Sequence, residues 1–501
     1  MREGAENGDP KHLRDVEALG NICPMIDRGV LLFVDEGVIE KERIIFGNPN
    51  TILVFVCVCG KVSKKKRRGT KNSVLSSSLS FSHSRSPRVV CFFLFLFLFL
   101  LSFFCAHKPV IYLFAGQMNV LVTGGSGYLG QFLIERLLTL KEVNAVHYTC
   151  SSESSKLPEN VHEQHKRRLV CHACDFETGS GIEECVEKAS KGEYLAGDKN
   201  LKLVVNCTAL SQPKQCEENE EKACKVNVPT HLCQVLMRKY EGSEQKVPLL
   251  VHMSTDQVLC GSYSNTREDD TRENAFEPIN AYGRSKKYAE TYLLKNYDQN
   301  ALIILRSSVI TGPQPPFRRV DRPLFLDFIA KTCPPNTQGR NGEGEENEEV
   351  KDENAVEFWT DEFRNPVSRI DLTEAIVYCF EIFVGLRRKR DVSMFLFEEE
   401  GERSNRTPIY HSGGPERLSR YDMVTIFCNT MRASKKRAKP AVKSKTTSFC
   451  IASMVRTPAD ISMDSTKFMK ILRNGVQLKS FQEQVLDSTT VYLSAVLGNS
   501  R

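Results

Sequence analysis

The sequence lacks a strong excess of charge of either sign. Its 68 Lys and Arg residues and 62 Asp and Glu residues leave a formal net charge of +6 over 501 residues. The basic residues collect in short runs such as 64–68, so the composition does not indicate a nucleic-acid partner. The apolar content of 41% is typical of a globular protein, and the length allows two or three domains.

The sequence also lacks a second CxxC pair at the spacing of a zinc site. Its 18 cysteines include one CxxC, formed by Cys171 and Cys174 within RRLVCHACDF. This stretch has the composition of a strand, in which residues three apart point to opposite faces and cannot easily share a metal. We therefore predict no metal site, and we interpret the cysteines as reduced thiols of a cytoplasmic protein.

Residues 1–117 lack a repeating amphipathic pattern. A Ser-rich basic stretch at 76–88 precedes CFFLFLFLFLLSFF. With Val89 and Val90 the apolar run has about 16 residues, slightly fewer than the roughly 17–25 that cross a bilayer. We interpret 1–117 as a low-complexity N-terminal extension that is not part of the working protein. The alternative is a membrane anchor through residues 89–115.

A nucleotide-binding opening begins at Met118, in MNVLVTGGSGYLGQFLIERLL. A short aliphatic run predicts a buried strand, and an amphipathic helix follows it. Between them, Gly124, Gly127 and Gly130 are spaced three apart. A turn without Cβ atoms lets a pyrophosphate approach the N–H groups at the helix N-terminus. In this context the spacing predicts a dinucleotide site.

Further strands follow at a regular rhythm. A second strand is predicted over 143–148, a third in LVCHACDF, a fourth in LKLVVNCTAL and a fifth in LLVHMSTD. Helical stretches separate these strands, which predicts an α/β fold with a Rossmann-type, doubly wound parallel sheet.

The tip of the second strand carries no Asp or Glu. An acid at this position would bind the ribose diol of NAD and repel a 2′-phosphate. The nearest acid, Glu153, lies several residues further on, and Ser151, Ser152 and Lys156 are close by. The sequence therefore favours NADP as the cofactor, with NAD as the alternative.

Tyr282 and Lys286 lie four residues apart in NAYGRSKKYAE. On a helix they share one face, and we expect the Lys286 ammonium to lower the pKa of the Tyr282 phenol. Such a tyrosine can exchange a proton with a substrate oxygen. Thr255 or Ser254, at the end of the fifth strand, would hydrogen-bond that oxygen.

Together these motifs resemble the extended short-chain dehydrogenase/reductase superfamily, and within it the dTDP-4-dehydrorhamnose reductase (RmlD-like) family. The resemblance is strong over 118–312 and thinner beyond it. It rests on TGGSGYLG, VVNCTALSQPKQCEENEEKACKVN, VHMSTDQV, NAYGRSKKYAE and LRSSVITG.

The resemblance implies a reductase that passes a hydride from NADPH to a nucleotide-sugar ketone or a related carbonyl while Tyr282 protonates the new alkoxide. It implies Thr255, Tyr282 and Lys286 as catalytic residues, with Tyr282 and Lys286 also at the cofactor. The other implied cofactor residues are Gly124, Ser126, Gly127, Tyr128, Leu129, Asp175, Phe176, Thr208 and Ala209.

The substrate half departs from the family pattern. This chain has Gln257 where the reductases have an aromatic residue and Cys260 where they have an acid. The regulatory beta subunit of methionine adenosyltransferase belongs to the same family and is comparably similar. The resemblance therefore implies an alternative function, a non-catalytic NADP-binding subunit whose partner is the methionine adenosyltransferase catalytic subunit in S-adenosylmethionine synthesis.

These features predict a cofactor-binding domain over 118–312 and a smaller substrate-binding region over 313–501, interleaved with it. Within that region the acidic, Gly- and Asn-rich segment 336–357 is predicted to be a surface loop. Arg364 and Arg369 are candidates either for binding a phosphorylated or nucleotide substrate or for ion pairs at the domain seam.

Overall fold

The structure is a computed structural model. It describes residues 30–32, 54–56, 118–191, 201–243, 246–322, 324–333, 356–386, 407–431, 438–441, 455–472 and 478–488. The chain divides into two compact units, Met1–Pro109 and Val110–Arg501. The predicted anchor at 89–115 and all but the last two residues of the predicted acidic loop lie outside the described residues.

The strands are, in chain order, β1 Val30–Leu32, β2 Val54–Val56, β3 Met118–Thr123, β4 Val143–Cys150, β5 Leu169–Ala173, β6 Leu201–Asn206, β7 Leu249–Thr255, β8 Leu302–Ser307, β9 Ile310–Thr311, β10 Val356–Trp359, β11 Phe363–Arg364, β12 Val367–Ser368, β13 Ile409–Ser412, β14 Leu418–Ser419 and β15 Ala438–Ala441. In the first unit, β1 and β2 pair in parallel.

The second unit is built on a seven-stranded sheet with the order β13-β8-β7-β6-β3-β4-β5. Every neighbouring pair is parallel. The doubly wound parallel sheet predicted from the sequence is therefore confirmed, and the five strands predicted from the apolar runs are β3 to β7. The seventh strand, β13, comes from the region after residue 312, at a position where no strand is predicted from the sequence.

Helices cover both faces of this sheet. The helices of the described ranges are α1 Tyr128–Leu138, α2 Glu159–His165, α3 Ile182–Ser190, α4 Pro213–Glu218, α5 Glu220–Asn227, α6 Thr230–Tyr240, α7 Ala281–Asn296, α8 Phe325–Thr332, α9 Arg369–Phe383, α10 Arg420–Met431, α11 Thr466–Leu472 and α12 over 481–488. None of the helices in the described ranges combines the length and the apolar character that a membrane crossing needs.

Successive side chains of each strand point alternately to the two faces of the sheet, and this divides the core into two layers. Val120 and Val122 of β3 pack with α1 and α9 on one face. Leu121 packs with α3 and α6 on the other. Successive strand side chains point to opposite faces, so a fully apolar strand such as β3 can be buried on both sides.

A third apolar cluster lies in the C-terminal part of the chain. It joins α8, α10 and α12 with Phe358 of β10. β10 and β15 pair in parallel beside it, outside the main sheet. β13 and α9 lie beyond the predicted domain boundary between residues 312 and 313, but both pack with the parallel sheet and its α1 layer. The boundary itself stays a prediction.

Candidate cofactor and active site

The carboxyl ends of β3, β6, β7 and β8 meet at one edge of the sheet, where ligands bind in folds of this type. The glycine turn leaves β3 there. Gly124 has a φ of +63°, a conformation that favours glycine, and a Cβ on it would lie 2.9 Å from the backbone nitrogen of Thr208. A Cβ on Gly130 would lie 2.6 Å from the carbonyl oxygen of Gly124. The turn and α1 can therefore pack this closely only with glycine at these positions.

The turn borders a cavity of about 720 Å³. The residues that the sequence predicted for the site fall into two groups. The cavity is lined by Gly124, Gly127, Tyr128, Leu129, Ala209, Thr255, Tyr282 and Lys286. The predicted residues that are not among its lining residues are Ser126, Asp175, Phe176 and Thr208.

Three residues of the second group, Ser126, Asp175 and Phe176, have other contacts. The Ser126 carbonyl accepts a hydrogen bond from Gln131. Asp175 is exposed, and its carboxylate accepts from the Glu177 backbone at 2.8 Å and from Thr178 at 2.9 Å. Phe176 is buried in the core layer beneath α3. The roles of these residues at the adenine and the pyrophosphate stay predictions.

Two buried hydroxyls near the turn have no hydrogen-bond partner within the described ranges. They are Tyr128 Oη and Thr208 Oγ1. Tyr128 is 5% exposed and lines the cavity beside the glycines. A hydroxyl buried without a partner is costly, and a phosphate oxygen would supply the missing acceptor. The glycine turn and these hydroxyls thus fit a dinucleotide.

The second half of the site comes from α7. Asn280 caps this helix, and its side chain accepts from the Gly283 backbone at 2.8 Å. Gln257 lines the cavity and accepts from the Asn280 side-chain amide at 2.8 Å. The glutamine that departs from the family pattern therefore fixes the start of the helix that carries Tyr282 and Lys286.

The pKa of Tyr282 is shifted in the direction opposite to the one that the sequence predicted. Burial, and to a smaller extent the negative charge of Asp256, raise the Tyr282 pKa to about 12. A hydrogen bond with Thr255 and the charge of Arg322 act in the other direction without overcoming burial. The expectation that Lys286 lowers the pKa of Tyr282 below its usual value is wrong, because desolvation of the phenolate outweighs the nearby cations.

Lys286 itself is strongly perturbed. Its side chain is 2% exposed, and its ammonium donates to the Met253 carbonyl at 2.7 Å. Burial lowers its pKa to about 8. The residue is therefore charged at neutral pH but close to its titration point.

Of the two candidate hydroxyls on β7, Ser254 has another partner. It donates to Glu290 at 2.6 Å, and Glu290 pairs with the buried guanidinium of Arg306 at 2.7 Å. Thr255 lies at the end of the strand, donates to Asp256 at 3.2 Å and lines the cavity together with Tyr282. Of the two hydroxyl residues, Thr255 is the predicted catalytic residue, and its role beside the phenol stays a prediction.

Sequence reasoning missed several polar residues of the cavity. Asp256 is 4% exposed and accepts from Ser308 at 2.9 Å. Burial raises the pKa of Asp256 above its usual value. Arg322 and Arg420 also line the cavity, and Arg322 donates to Ser211 at 3.3 Å. Asp256 directly follows the predicted Thr255, but the two arginines come from segments with no motif.

The other two arginines considered from the sequence do not line this cavity. Arg364 is 3% exposed and pairs with Glu362 at 3.0 Å. Its guanidinium also donates to the carbonyl oxygens of Pro458 and Ala459. Arg369 lies over the ring of Phe132, 4.0 Å from its centre. Arg364 therefore forms an ion pair, but with Glu362 of its own segment and not across a seam between domains.

A known protein family matches the part of the chain that forms most of this site. The family described as "RmlD substrate binding domain" matches residues 118–316. The matched segment is similar to this family and makes up less than half of the chain. The match includes the glycine turn and the whole of α7, and it ends before Arg322 and Arg420.

Two curated relatives are similar to part of this chain. The dTDP-4-dehydro-6-deoxyglucose reductase of Escherichia coli is 26% identical over 227 residues, which is 44% of this chain and 65% of the relative. A protein of Haloferax volcanii described as a probable low-salt glycan biosynthesis reductase is 30% identical over 199 residues, 39% of this chain and 54% of the relative. The chain thus spans less than two thirds of the length of each.

Solved structures share the fold. The UDP-glucuronic acid 4-epimerase of Bacillus cereus, in complex with a fluorinated UDP sugar and NAD, has a TM-score of 0.51 and 14% identity, covering 76% of this chain and 100% of that chain. The dTDP-glucose 4,6-dehydratase of Streptomyces venezuelae has a TM-score of 0.50 and 16% identity, covering 76% and 98%. At these identities the likeness shows the fold alone.

Proposed function

We propose that this chain is an NADP-dependent reductase that converts a ketone of a nucleotide sugar, or a related carbonyl, into an alcohol. The observation that carries the proposal is one shared cavity. Gly124 and Gly127 border it at the dinucleotide turn, and Thr255, Tyr282 and Lys286 border it at the ends of β7 and α7. A bound nicotinamide and a carbonyl substrate would therefore meet beside the phenol.

The cofactor side supports a dinucleotide with a 2′-phosphate. The glycine turn leaves room for a pyrophosphate, and Tyr128 offers it a buried hydroxyl donor. The epimerase of the same fold is solved with NAD. This chain has no acid at the tip of β4, where an acid would favour NAD over NADP.

The substrate side supports an anionic ligand with an aromatic or apolar part. Arg322 and Arg420 bring two guanidinium groups to the cavity. Arg420 pairs with Glu362 at 2.9 Å, so Arg322 is the guanidinium that suits a phosphate of a nucleotide. Phe325 and Phe328 line the same side. Phe328 is 42% exposed, so an apolar ring there is available for stacking against a base.

The proposed chemistry needs one proton from the chain. When bound, NADPH supplies a hydride to the carbonyl carbon. With a pKa near 12 Tyr282 is neutral at pH 7, so its hydroxyl can donate a proton to the carbonyl oxygen as that oxygen becomes negative. Thr255 and Lys286 line the same cavity, where a hydroxyl and an ammonium can stabilise the developing negative charge, and the tyrosinate takes up a proton from solvent.

The test is NADPH oxidation by the purified chain, with a panel of nucleotide 4-keto-6-deoxy sugars. Tyr282→Phe removes the proton donor, and we expect kcat to fall by roughly 100-fold or more. Tyr288→Phe is the matched control, because Tyr288 lies on the same helix but is 55% exposed. It should leave kcat within about twofold.

Equal activity of the wild type and Tyr282→Phe would refute the assigned role of the phenol. NADPH binding without consumption of any carbonyl in the panel would refute the reductase. In that case a pull-down with methionine adenosyltransferase catalytic subunits would test the regulatory alternative.

A further inference from the structure

The loop 313–322 crosses the glycine turn and is held there by one buried side chain. Gln131 is 0% exposed. Its carbonyl oxygen accepts from the backbone nitrogens of Phe317, at 3.2 Å, and Arg318, at 2.8 Å. Its amide donates to the carbonyl oxygens of Ser126 and Arg318, each at 2.9 Å. All the hydrogen-bonding capacity of this amide is used, so the backbone of Arg318 is fixed relative to the turn.

This position directs the Arg318 side chain toward the loop that follows β4. Its guanidinium donates to the backbone carbonyl of Ser154. Asp321 lies 3.8 Å away, but that carboxylate is 96% exposed, so its attraction is weak. The Arg318 side chain is 31% exposed, and part of the guanidinium is therefore free to meet a ligand.

The end of β4 is itself tied to the glycine turn. The Gly124 backbone donates to the Thr149 hydroxyl at 2.9 Å, and Gly125 donates to the Thr149 carbonyl at 3.1 Å. In a dinucleotide fold, the adenosine ribose lies at the end of the second strand of the sheet. Arg318, which belongs to the loop 313–322, thus approaches the expected position of the adenosine ribose at the end of β4.

The positive charge of Lys156 near the end of β4 is largely balanced by neighbouring carboxylates. Lys156, the basic residue predicted to favour NADP, lies 3.5 Å from Glu153 and 3.6 Å from Glu159. Two carboxylates at this distance offset the attraction that its ammonium would have for a phosphate. Arg318 contributes a guanidinium, whose planar donors match phosphate oxygens in pairs.

The geometry points to Arg318 as the residue that binds the 2′-phosphate of NADP and sets the preference for NADP over NAD. The inference rests on the proposed function in that it takes a dinucleotide to bind at the glycine turn. It adds a specificity residue from a segment that comes 164 residues after Ser154, outside the βαβ unit that holds the cofactor.

The test compares NADPH and NADH binding by fluorescence titration of the full chain. Arg318→Ala should weaken NADPH binding roughly 10- to 100-fold, because one charge-assisted pair of hydrogen bonds is lost, and leave NADH within about twofold. Arg319→Ala is the matched control, since Arg319 is an exposed arginine of the same loop. It should change neither affinity by more than about twofold.

Two more measurements distinguish a contact with the 2′-phosphate from a contact with another part of the dinucleotide. Calorimetry with 2′,5′-ADP and 5′-AMP should show the loss for 2′,5′-ADP alone. Arg318→Lys should fall between the wild type and Arg318→Ala, because it keeps the charge but not the paired donors. The thermal midpoint of each variant reports whether it is folded.

Equal losses for NADPH and NADH would overturn the inference and place Arg318 at the pyrophosphate. Unchanged affinity for both would also overturn it. A wild-type chain that binds neither dinucleotide would instead refute the proposed function.

Discussion

The ammonium of Lys286 donates a hydrogen bond to the Met253 carbonyl at 2.7 Å. This contact anchors the side chain on β7, in a place where burial lowers its pKa to about 8. Tyr282, one helical turn away, has its pKa raised to about 12. The first group of this pair to lose its proton as the pH rises is therefore the lysine and not the phenol.

The pH dependence of NADPH affinity should follow Lys286. A bound anion favours the ammonium, so above the pKa of the free protein each binding event must take up a proton. We expect a constant Kd below about pH 7.5 and a weakening of up to about tenfold per pH unit above about pH 8.

Fluorescence titrations across this pH range provide the measurement. Lys286→Met should bind more weakly at neutral pH and show no break near pH 8. Lys295→Met, at an exposed position of the same helix, should retain the break. A break that survives in Lys286→Met would assign the titration to another group.

Asp256 should control the acidity of Tyr282. Its charge is the largest electrostatic influence that raises the Tyr282 pKa after burial. Asp256→Asn removes this charge while leaving an amide that can hydrogen-bond Ser308, so the pKa of Tyr282 should fall by on the order of one unit.

Carbon-13 labelling of the tyrosine ring carbon that bears the hydroxyl, with Tyr282→Phe to assign the signal, measures this pKa by NMR. Asp269→Asn is the control, because Asp269 is exposed and lies outside the residues that line the cavity. An unchanged or higher pKa in Asp256→Asn would contradict the prediction.

Gly130 should be required both for stability and for cofactor binding. A Cβ at this position would lie 2.6 Å from the Gly124 carbonyl oxygen and 2.7 Å from the Gly125 Cα. These are backbone atoms, which cannot avoid the methyl group by rotating about a side-chain bond, so Gly130→Ala must move α1 away from the glycine turn. We expect a loss of roughly 1–3 kcal/mol in the free energy of unfolding.

The same substitution should weaken NADPH binding, because the N-terminal N–H groups of α1 move away from the pyrophosphate position. Denaturant unfolding and NADPH titration of the same samples give both readouts. Glu135→Ala, on the exposed part of α1, is the control and should lower neither quantity. Wild-type stability in Gly130→Ala would show that the turn can relax around a methyl group.

Some features were predictable because their physical causes are local. The apolar run of β3 and the glycine spacing that follows it are read within 21 consecutive residues, 118–138. Tyr282 and Lys286 share a face because they are four residues apart on one helix. The regular succession of strands determined the parallel sheet, since each βαβ unit folds in the same hand.

Other features were decided by contacts between distant segments. β13 has only four residues, IYHS, and becomes a strand because it pairs with β8. Arg318 reaches Ser154 through the loop that Gln131 holds. Neither relationship leaves a pattern in the neighbouring sequence, because hydrogen bonds across the fold do not depend on sequence spacing.

The sequence by itself thus determined which residues form the dinucleotide turn and which phenol and ammonium share a helix face. Only the tertiary structure decided the proton affinities of Tyr282 and Lys286 and which arginines line the cavity. The reason is physical: periodicity and the steric needs of a glycine turn act over a few neighbours. Burial and electrostatic interactions depend on everything that packs around a group.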